Sequence, residues 1–305
     1  MNGKLVTIFG GGGFLGRHIV PLLVQAGWVV RVAQRYPDQA LFLRMNGPTG
    51  QVDLHRTDIT RDADIASALE GAQAVINCVG VLTSRGRQSF RRIHRDAPGR
   101  IAEQAQRAGI SRFIQVSALG ADAHSASIYA RSKYEGESLV RDHLPTATVM
   151  RLGLLIGPED DFFNRFARMT RFSPFLPLIG GGRTRFQPVL VTDAAQAVVR
   201  ALEAQEAPGT IYEIAGPDHY SFRNLMVLML RVLDKRRALI PIPFGVAVLL
   251  AAFTQFIPGA PLTLDQVRLL RRDNVLSGTH PGSEALGITP QPLTPDVLAY
   301  LAPYR

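Results

Sequence analysis

Tyr129 and Lys133 stand four residues apart, the spacing that places two side chains on one face of a helix. Ser117 closes the apolar run that precedes them. These residue types in this order suit one kind of chemistry. A lysine ammonium beside a phenol lowers the tyrosine pKa, the tyrosine moves a proton to or from a substrate oxygen, and the serine orients that oxygen. Such a transfer is useful next to a hydride donor, whose ribose the lysine can also hold. The bland alternative is a half-buried helix tyrosine and a surface lysine.

A hydride donor needs a cradle, and the start of the chain offers one. Gly10, Gly13 and Gly16 follow the apolar stretch Leu5–Phe9 and open a helix-like stretch, Phe14–Gln25. The first glycine allows the turn, the second lets the backbone approach a pyrophosphate, and the third lets the helix pack on its strand. The helix N-terminus then faces the phosphates with unpaired N–H groups. The second strand ends Val32-Ala33-Gln34-Arg35, and no acid follows until Asp38. An acid there would bind the ribose of NAD; Arg35 offers a cation for a 2′-phosphate, which favours NADPH. Arg35 is otherwise an ordinary surface arginine. Asp58, after the third strand, either accepts from the adenine amino group or caps the next helix.

The elements that must hold these residues alternate. Strands are predicted at Leu5–Phe9, Val29–Ala33, Val52–His55, Ala74–Asn77, Arg112–Ser117 and Ala147–Leu152, with helices at Phe14–Gln25, Ile65–Leu69, Arg91–Ala108 and Ile128–Arg141. This is the pattern of an α/β, Rossmann-type, doubly wound parallel sheet. Gln187–Val191 and Ile211–Ala215, flanking a helix at Asp193–Glu203, are expected to complete the same sheet. The dinucleotide domain is thus placed at 1–157, completed by about 186–215; segments 158–185 and 216–305 form a small, mostly helical, substrate-side or interaction domain.

The 305 residues are 46% hydrophobic and 19% charged, enough for a sizeable core. The single cysteine, Cys78, excludes an internal disulfide framework and a cysteine-based zinc site, and its flanks predict an inert, buried thiol. No metal site is expected. The net charge is +9, carried by arginine, with the densest run at Arg85, Arg87, Arg91, Arg92, Arg95 and Arg100. That run lacks the aromatic interleaving of a nucleic-acid site, so a protein partner or an anionic lipid surface is favoured over nucleic acid. Residues 240–264 carry no charge. Pro241, Pro243 and Pro258 leave only Phe244–Ile257 as a continuous helix, too short for a transmembrane span, and a packed core helix is ranked just ahead of membrane contact. No signal peptide precedes the first strand, which points to the cytoplasmic compartment.

The motifs Gly10-x-x-Gly13-x-x-Gly16, Asp58, Asn77-Cys78-Val79-Gly80, Ser117 and Tyr129-x-x-x-Lys133 resemble, in type and order, the extended and atypical short-chain dehydrogenases/reductases. The resemblance covers the first two-thirds of the chain. It implies a catalytic set of Ser117, Tyr129 and Lys133, and a cofactor site built from Gly10, Gly13, Phe14, Leu15, Gly16, Arg35, Asp58, Ile59, Val79, Gly80 and Lys133. A narrower likeness spans most of the chain. Arg151–Asn164, Phe175–Gly180, Gln187-Pro188-Val189 with Asp193, the run Phe14–Arg17 and the proline-broken C-terminal region are similar to the nucleotide-binding accessory subunit of respiratory complex I. That family implies bound NADPH, a peripheral place near the quinone site on the cytoplasmic side of the inner membrane, complex I subunits as partners, and no turnover of its own. Leu152 and Ile156 stand where extended family members usually carry a proline and a tyrosine that frame the nicotinamide. Three readings therefore compete: a structural NADPH-binding subunit, a free-standing NAD(P)H-dependent reductase, epimerase or dehydratase, and a nucleotide-sensing regulator.

Overall fold

The computed structural model describes residues 4–84, 86, 88–204, 208–254 and 262–305. Seven parallel strands form the central sheet: β1 (Leu5–Phe9), β2 (Val29–Gln34), β3 (Val52–Arg56), β4 (Ala74–Asn77), β5 (Arg112–Ala118), β6 (Thr148–Leu152) and, later in the chain, β11 (Ile211–Ile214). Their order is β3-β2-β1-β4-β5-β6-β11. The order reverses between β1 and β4, so a crevice opens at the carboxyl ends of these two strands. β1 and β4 are mostly apolar and buried along almost their whole length because both faces of the sheet are covered. Helices α1 (Gly16–Gln25) and α6 (Val191–Glu203) pack together on one face. Helices α2 (Asp62–Leu69), α3 (Ala97–Arg107) and α4 (Ile128–His143) form the other layer.

The predicted strands hold within a residue or two at their ends. The predicted helix at Arg91–Ala108 is in fact two pieces, a single π turn over Arg91–Asp96 running into α3. The reason lies in α4. A Cβ at Gly136 would run into the carbonyl oxygen of His94, so the two backbones touch where the π turn bulges.

The segment Gln187–Val191 does not join the main sheet. Only Ile211–Ile214 does, beside β6. Of the run Gln187–Val191 only Val189–Leu190 is a strand, β10; Gln187 and Pro188 separate it from β9 (Arg185–Phe186), and α6 has already begun at Val191. β10 instead pairs with β7 (Leu155–Ile156), and β9 with β12 (Tyr220–Ser221). The region after Gly216 is also less helical than expected. β13 (Ala238–Ile242) runs parallel to β8 (Phe175–Ile179), which joins the 158–185 segment to the C-terminal one. Around this pair lie α5 (Phe163–Met169), α7 (Phe222–Val232), α8 (Phe244–Thr254) and α9 (Leu264–Leu269). One apolar cluster, including Phe163, Leu176, Leu178, Phe222, Met226 and Leu298, holds α5 and α7 against β8, and a smaller one of Ile179, Ala247, Ala251 and Val267 joins α8 to α9.

Helix α8 is not a core helix. Only Ala247 and Ala251 are buried, while Leu249 is 60% and Phe253 74% exposed, beside exposed Val246, Val248 and Leu250. Residues 255–257 of the expected helix lie outside the described residues. No helix among the described residues is long and apolar enough to cross a membrane. The free edge of β11 is covered by the chain near the C-terminus: the Glu213 N–H donates to the Pro281 carbonyl, and the Ser277 N–H to the Glu213 carboxylate at 2.7 Å.

Candidate functional site

The glycine turn sits at the carboxyl end of β1, at the crevice. Gly10 has φ +77° and packs on Val79 of the β4 end, where a Cβ would come within 3.2 Å of the Val79 side chain. At Gly16 a Cβ would lie 2.5 Å from the Gly11 Cα, so only glycine lets α1 start this close to the turn. The Gly13 N–H donates to the Gly10 carbonyl, and Gly13 itself is exposed. Phe14 is half-buried and Leu15 buried at the mouth of α1. A glycine turn with Gly13 exposed and a helix start, at the point where the strand order reverses, fit the pyrophosphate of a dinucleotide.

The adenosine side is built by the ends of β2 and β3. Gln34 accepts from the Gly12 N–H at 3.2 Å and donates to the Tyr36 carbonyl at 2.6 Å, which fixes the β2 end against the turn. Arg35 is exposed beside it, with its guanidinium 5.8 Å from the Tyr36 ring. Asp58 does not cap the following helix, whose N-cap position is Arg61. It accepts from the Thr60 N–H at 3.0 Å and the Thr60 hydroxyl at 2.7 Å in a local turn. Burial raises its carboxyl pKa, but these bonds and the Arg35 and Arg61 charges outweigh that and hold it below the ordinary value. Ile59 is buried behind it.

The opposite side is drier. Ser117, at the carboxyl end of β5, has a buried hydroxyl with no hydrogen-bond partner. Lys133 is 7% exposed, not a surface lysine, and its Nζ lies against Gly80. Burial brings its pKa down to about 8, partly offset by Glu137 and Cys78. Tyr129 is ringed by Phe90 and His94, each in an edge contact, and burial pushes its phenol up to about 12. The expected lowering by Lys133 is not met in this arrangement, because desolvation of the phenolate dominates. The Cys78 thiol is likewise pushed up to about 12 by burial, as an inert thiol should be.

Sequence reasoning missed His94. The Val81 N–H donates to its Nε2 at 3.0 Å, so that nitrogen carries the lone pair and the proton sits on Nδ1. Nδ1 then donates to the Ser132 hydroxyl at 3.1 Å, which donates to the Tyr129 carbonyl at 2.7 Å. Burial, then Lys133, brings the His94 pKa down to about 2, in accord with a neutral ring. Its ring stacks on Phe90. His94 therefore ties the chain after β4 to the first turn of α4. A lone histidine in an arginine-rich run carries no sequence signal of this. Beyond Lys133, Glu137 forms a buried, two-pronged pair with Arg151 at 2.7 and 3.1 Å. Among the described residues no group of His, Cys, Asp and Glu could hold a metal ion.

Comparison with known proteins agrees with this architecture. Residues 6–215 match the NAD dependent epimerase/dehydratase family. The chain is 34% identical to NADH dehydrogenase [ubiquinone] 1 alpha subcomplex subunit 9, mitochondrial, of Arabidopsis thaliana, with 100% of this chain and 79% of that protein covered. It is 36% identical to the ceramide reductase of Caulobacter vibrioides over 64% of this chain and 60% of that one. A UDP-glucuronic acid 4-epimerase from Bacillus cereus, solved with UDP-glucuronic acid and NAD, shares the fold at a TM-score of 0.74 and 18% identity, covering 99% of this chain and 98% of that one. The chain belongs to the NAD dependent epimerase/dehydratase family, in the branch that includes the subunit 9 proteins of NADH dehydrogenase.

Proposed function

We propose that this protein is an NADPH-binding accessory subunit of respiratory NADH:ubiquinone oxidoreductase (complex I). In this reading it is peripheral, lies on the cytoplasmic side of the inner membrane near the quinone site, and stabilises the assembly rather than turning over a substrate. One observation carries the proposal: a dinucleotide-binding fold that bears an uncharged helix, α8, with most of its apolar side chains exposed. An enzyme free in solution has no use for such a surface; a subunit seated on membrane-proximal partners does. The full-length likeness to the Arabidopsis subunit supports it. Exposed Arg268 and Arg271 beside α8, the latter with its guanidinium 5.4 Å from the Phe244 ring, suit a surface that carries anionic lipid. Native-mass or co-purification analysis from the source membrane tests this. Migration with a large respiratory assembly is expected; a free monomer or homodimer rejects it.

Gly10, Gly13, Phe14, Leu15, Gly16, Asp58, Ile59, Val79, Gly80 and Lys133 would hold the nucleotide, and Arg35 would select its 2′-phosphate. The cofactor would supply a hydride when bound. Calorimetry is expected to show NADPH binding more tightly than NADH, with Arg35→Ala removing most of the difference. Equal affinities in the unmutated protein would overturn the preference.

A second reading, a reductase acting through Ser117, Tyr129 and Lys133, is favoured by the buried, unpartnered Ser117 hydroxyl and the burial of Lys133. The ceramide reductase relative gives it company. A strain carrying only Tyr129→Phe separates the two. Loss of one NADPH-dependent conversion with the respiratory complex intact would establish the reductase.

A further inference from the structure

The helix that carries Tyr129 and Lys133 is held at its start by a residue from far along the chain. Ser127 is the N-cap of α4, and its hydroxyl accepts from the Ala130 N–H. Outside that cap sits the carboxylate of Asp265, on α9. It accepts from the Ile128 N–H at 2.6 Å, the Tyr129 N–H at 3.0 Å and the Ser127 hydroxyl at 2.9 Å. A negative charge at a helix N-terminus is favourable, and here one carboxylate satisfies three donors in the first turn.

Asp265 does not act alone. α9 is fixed by a reciprocal cap between Thr263 and Gln266. Its Val267 is fully buried in one cluster with Ala247 and Ala251, the two buried residues of α8. Past α9 the same strap continues. Arg272 pairs with Asp122 at 2.6 Å, and the Asn274 amide donates to the Leu119 carbonyl at 3.2 Å. Asp122 and Leu119 lie in the loop between Ser117 and α4. The strap thus grips both ends of the segment that runs from Ser117 to Tyr129, and its other side is packed under the exposed helix α8.

We propose that Asp265 is a positioning residue that couples the surface of α8 to the nucleotide side of the molecule. A dinucleotide lying against the first turns of α4 and a lipid surface covering α8 both favour the strap in its seated place. Each therefore strengthens the other, and by linkage the two effects are equal. The lipid half rests on the function proposed above; the coupling between α4 and the strap is internal to the chain.

Hydrogen exchange on the full-length protein, with and without NADPH and without lipid, reads the internal coupling. NADPH should slow exchange at the glycine turn, 10–16, and also at 264–270, by on the order of fivefold or more. In Asp265→Ala the turn should still be protected while 264–270 is not. Asp265→Asn, which keeps one acceptor oxygen, should fall between, and guards against a misfolded alanine variant. Unchanged exchange at 264–270 in the unmutated protein, with the turn protected, overturns the coupling, as does equal protection of that segment in Asp265→Ala. Absence of protection at the turn itself would instead reject NADPH binding. Flotation with phosphatidylglycerol vesicles then tests the second half. Vesicles should tighten NADPH binding in the unmutated protein and not in Asp265→Ala. Bound vesicles that leave NADPH affinity unchanged overturn the link to the surface. Vesicles that do not bind reject the lipid reading of α8, while the lipid-free exchange still decides the role of Asp265.

Discussion

The Tyr129 region and helix α8 are both rich in apolar surface, yet they are organised in opposite ways. Around Tyr129 a chain of hydrogen bonds fixes directions: Val81 to His94, His94 to Ser132, Ser132 to the Tyr129 carbonyl, and the helix start to Asp265. Along α8 there is no such specification. Up to its final Thr254 its side chains are apolar on every face; Ala247 and Ala251 face inward with Phe244 packed beside them, and Val246, Val248, Leu249, Leu250 and Phe253 face out. Buried polar networks set geometry, because an unmet donor in a dry place is costly. An exposed apolar face sets only affinity, and its geometry comes from whatever covers it.

The largest expected effect tests α8. Leu249→Glu with Phe253→Glu should leave the melting temperature nearly unchanged, since both side chains already face outward. It should weaken binding to anionic vesicles, or incorporation into the respiratory assembly, by on the order of a hundredfold or more, from roughly 1.5–3 kcal/mol per lost apolar contact. A marked drop in melting temperature with no change in association would mean that the face is covered within the chain.

Gly13→Val comes next. The side chain would project where the backbone meets a pyrophosphate, and the core does not need that space. NADPH affinity measured by calorimetry should fall roughly tenfold to a hundredfold, from ~1–3 kcal/mol of steric cost, while the fold survives. A melting scan of this variant must be run without nucleotide, because loss of a bound ligand lowers apparent stability by mass action.

His94→Phe probes the polar network directly. It keeps a stacked ring but leaves the Val81 N–H and the Ser132 hydroxyl short of a partner. Denaturant unfolding at pH 7 should show a loss of about 1–3 kcal/mol. His94 also predicts acid sensitivity. Its folded pKa of about 2 lies below the ordinary 6.5, so the unfolded chain binds the extra proton and stability falls as pH drops from 6.5. The variant should show a shallower fall between pH 6.5 and 4.

Lys133→Met has the opposite sign. The folded pKa of about 8 lies below the ordinary 10.5, so the charged amine is a cost at pH 7 that is relieved as pH rises through this window. The nucleotide-free variant should be more stable than the parent at pH 7, and the gap should narrow toward pH 10.5. The smallest effect is expected from Tyr129→Phe, which should leave assembly and electron transfer of the respiratory complex nearly unchanged.

Much of the sheet was legible because its strands are short apolar runs between turn residues, and the glycine turn announced the first crossover. Ser117, Tyr129 and Lys133 were readable from type and spacing. The rest was hidden for separate reasons. Asp265 lies 136 residues from the amide it accepts from, and no local pattern marks that. The π turn before α3 depends on a close approach to Gly136 that only the packed pair reveals. Gln187 and Pro188 carry no strand, and α6 starts at Val191, so only Val189–Leu190 remains of a run that reads as one strand. Composition made α8 visible as uncharged, but burial of a helix that is apolar all round is decided by its neighbours, so core and surface could not be told apart from the residues alone.

The contact between Glu213 and Pro281 bears on how the chain is made. A sheet's last strand is a template for another strand until something lies along it. Here the guard is drawn from a segment more than sixty residues further along the chain, so β11 is synthesised well before it. During that interval the growing chain carries an open edge next to a hydrophobic sheet. Premature termination between 215 and 280 would leave that edge permanently unguarded, and such fragments should pair with one another and precipitate rather than persist as small folded proteins.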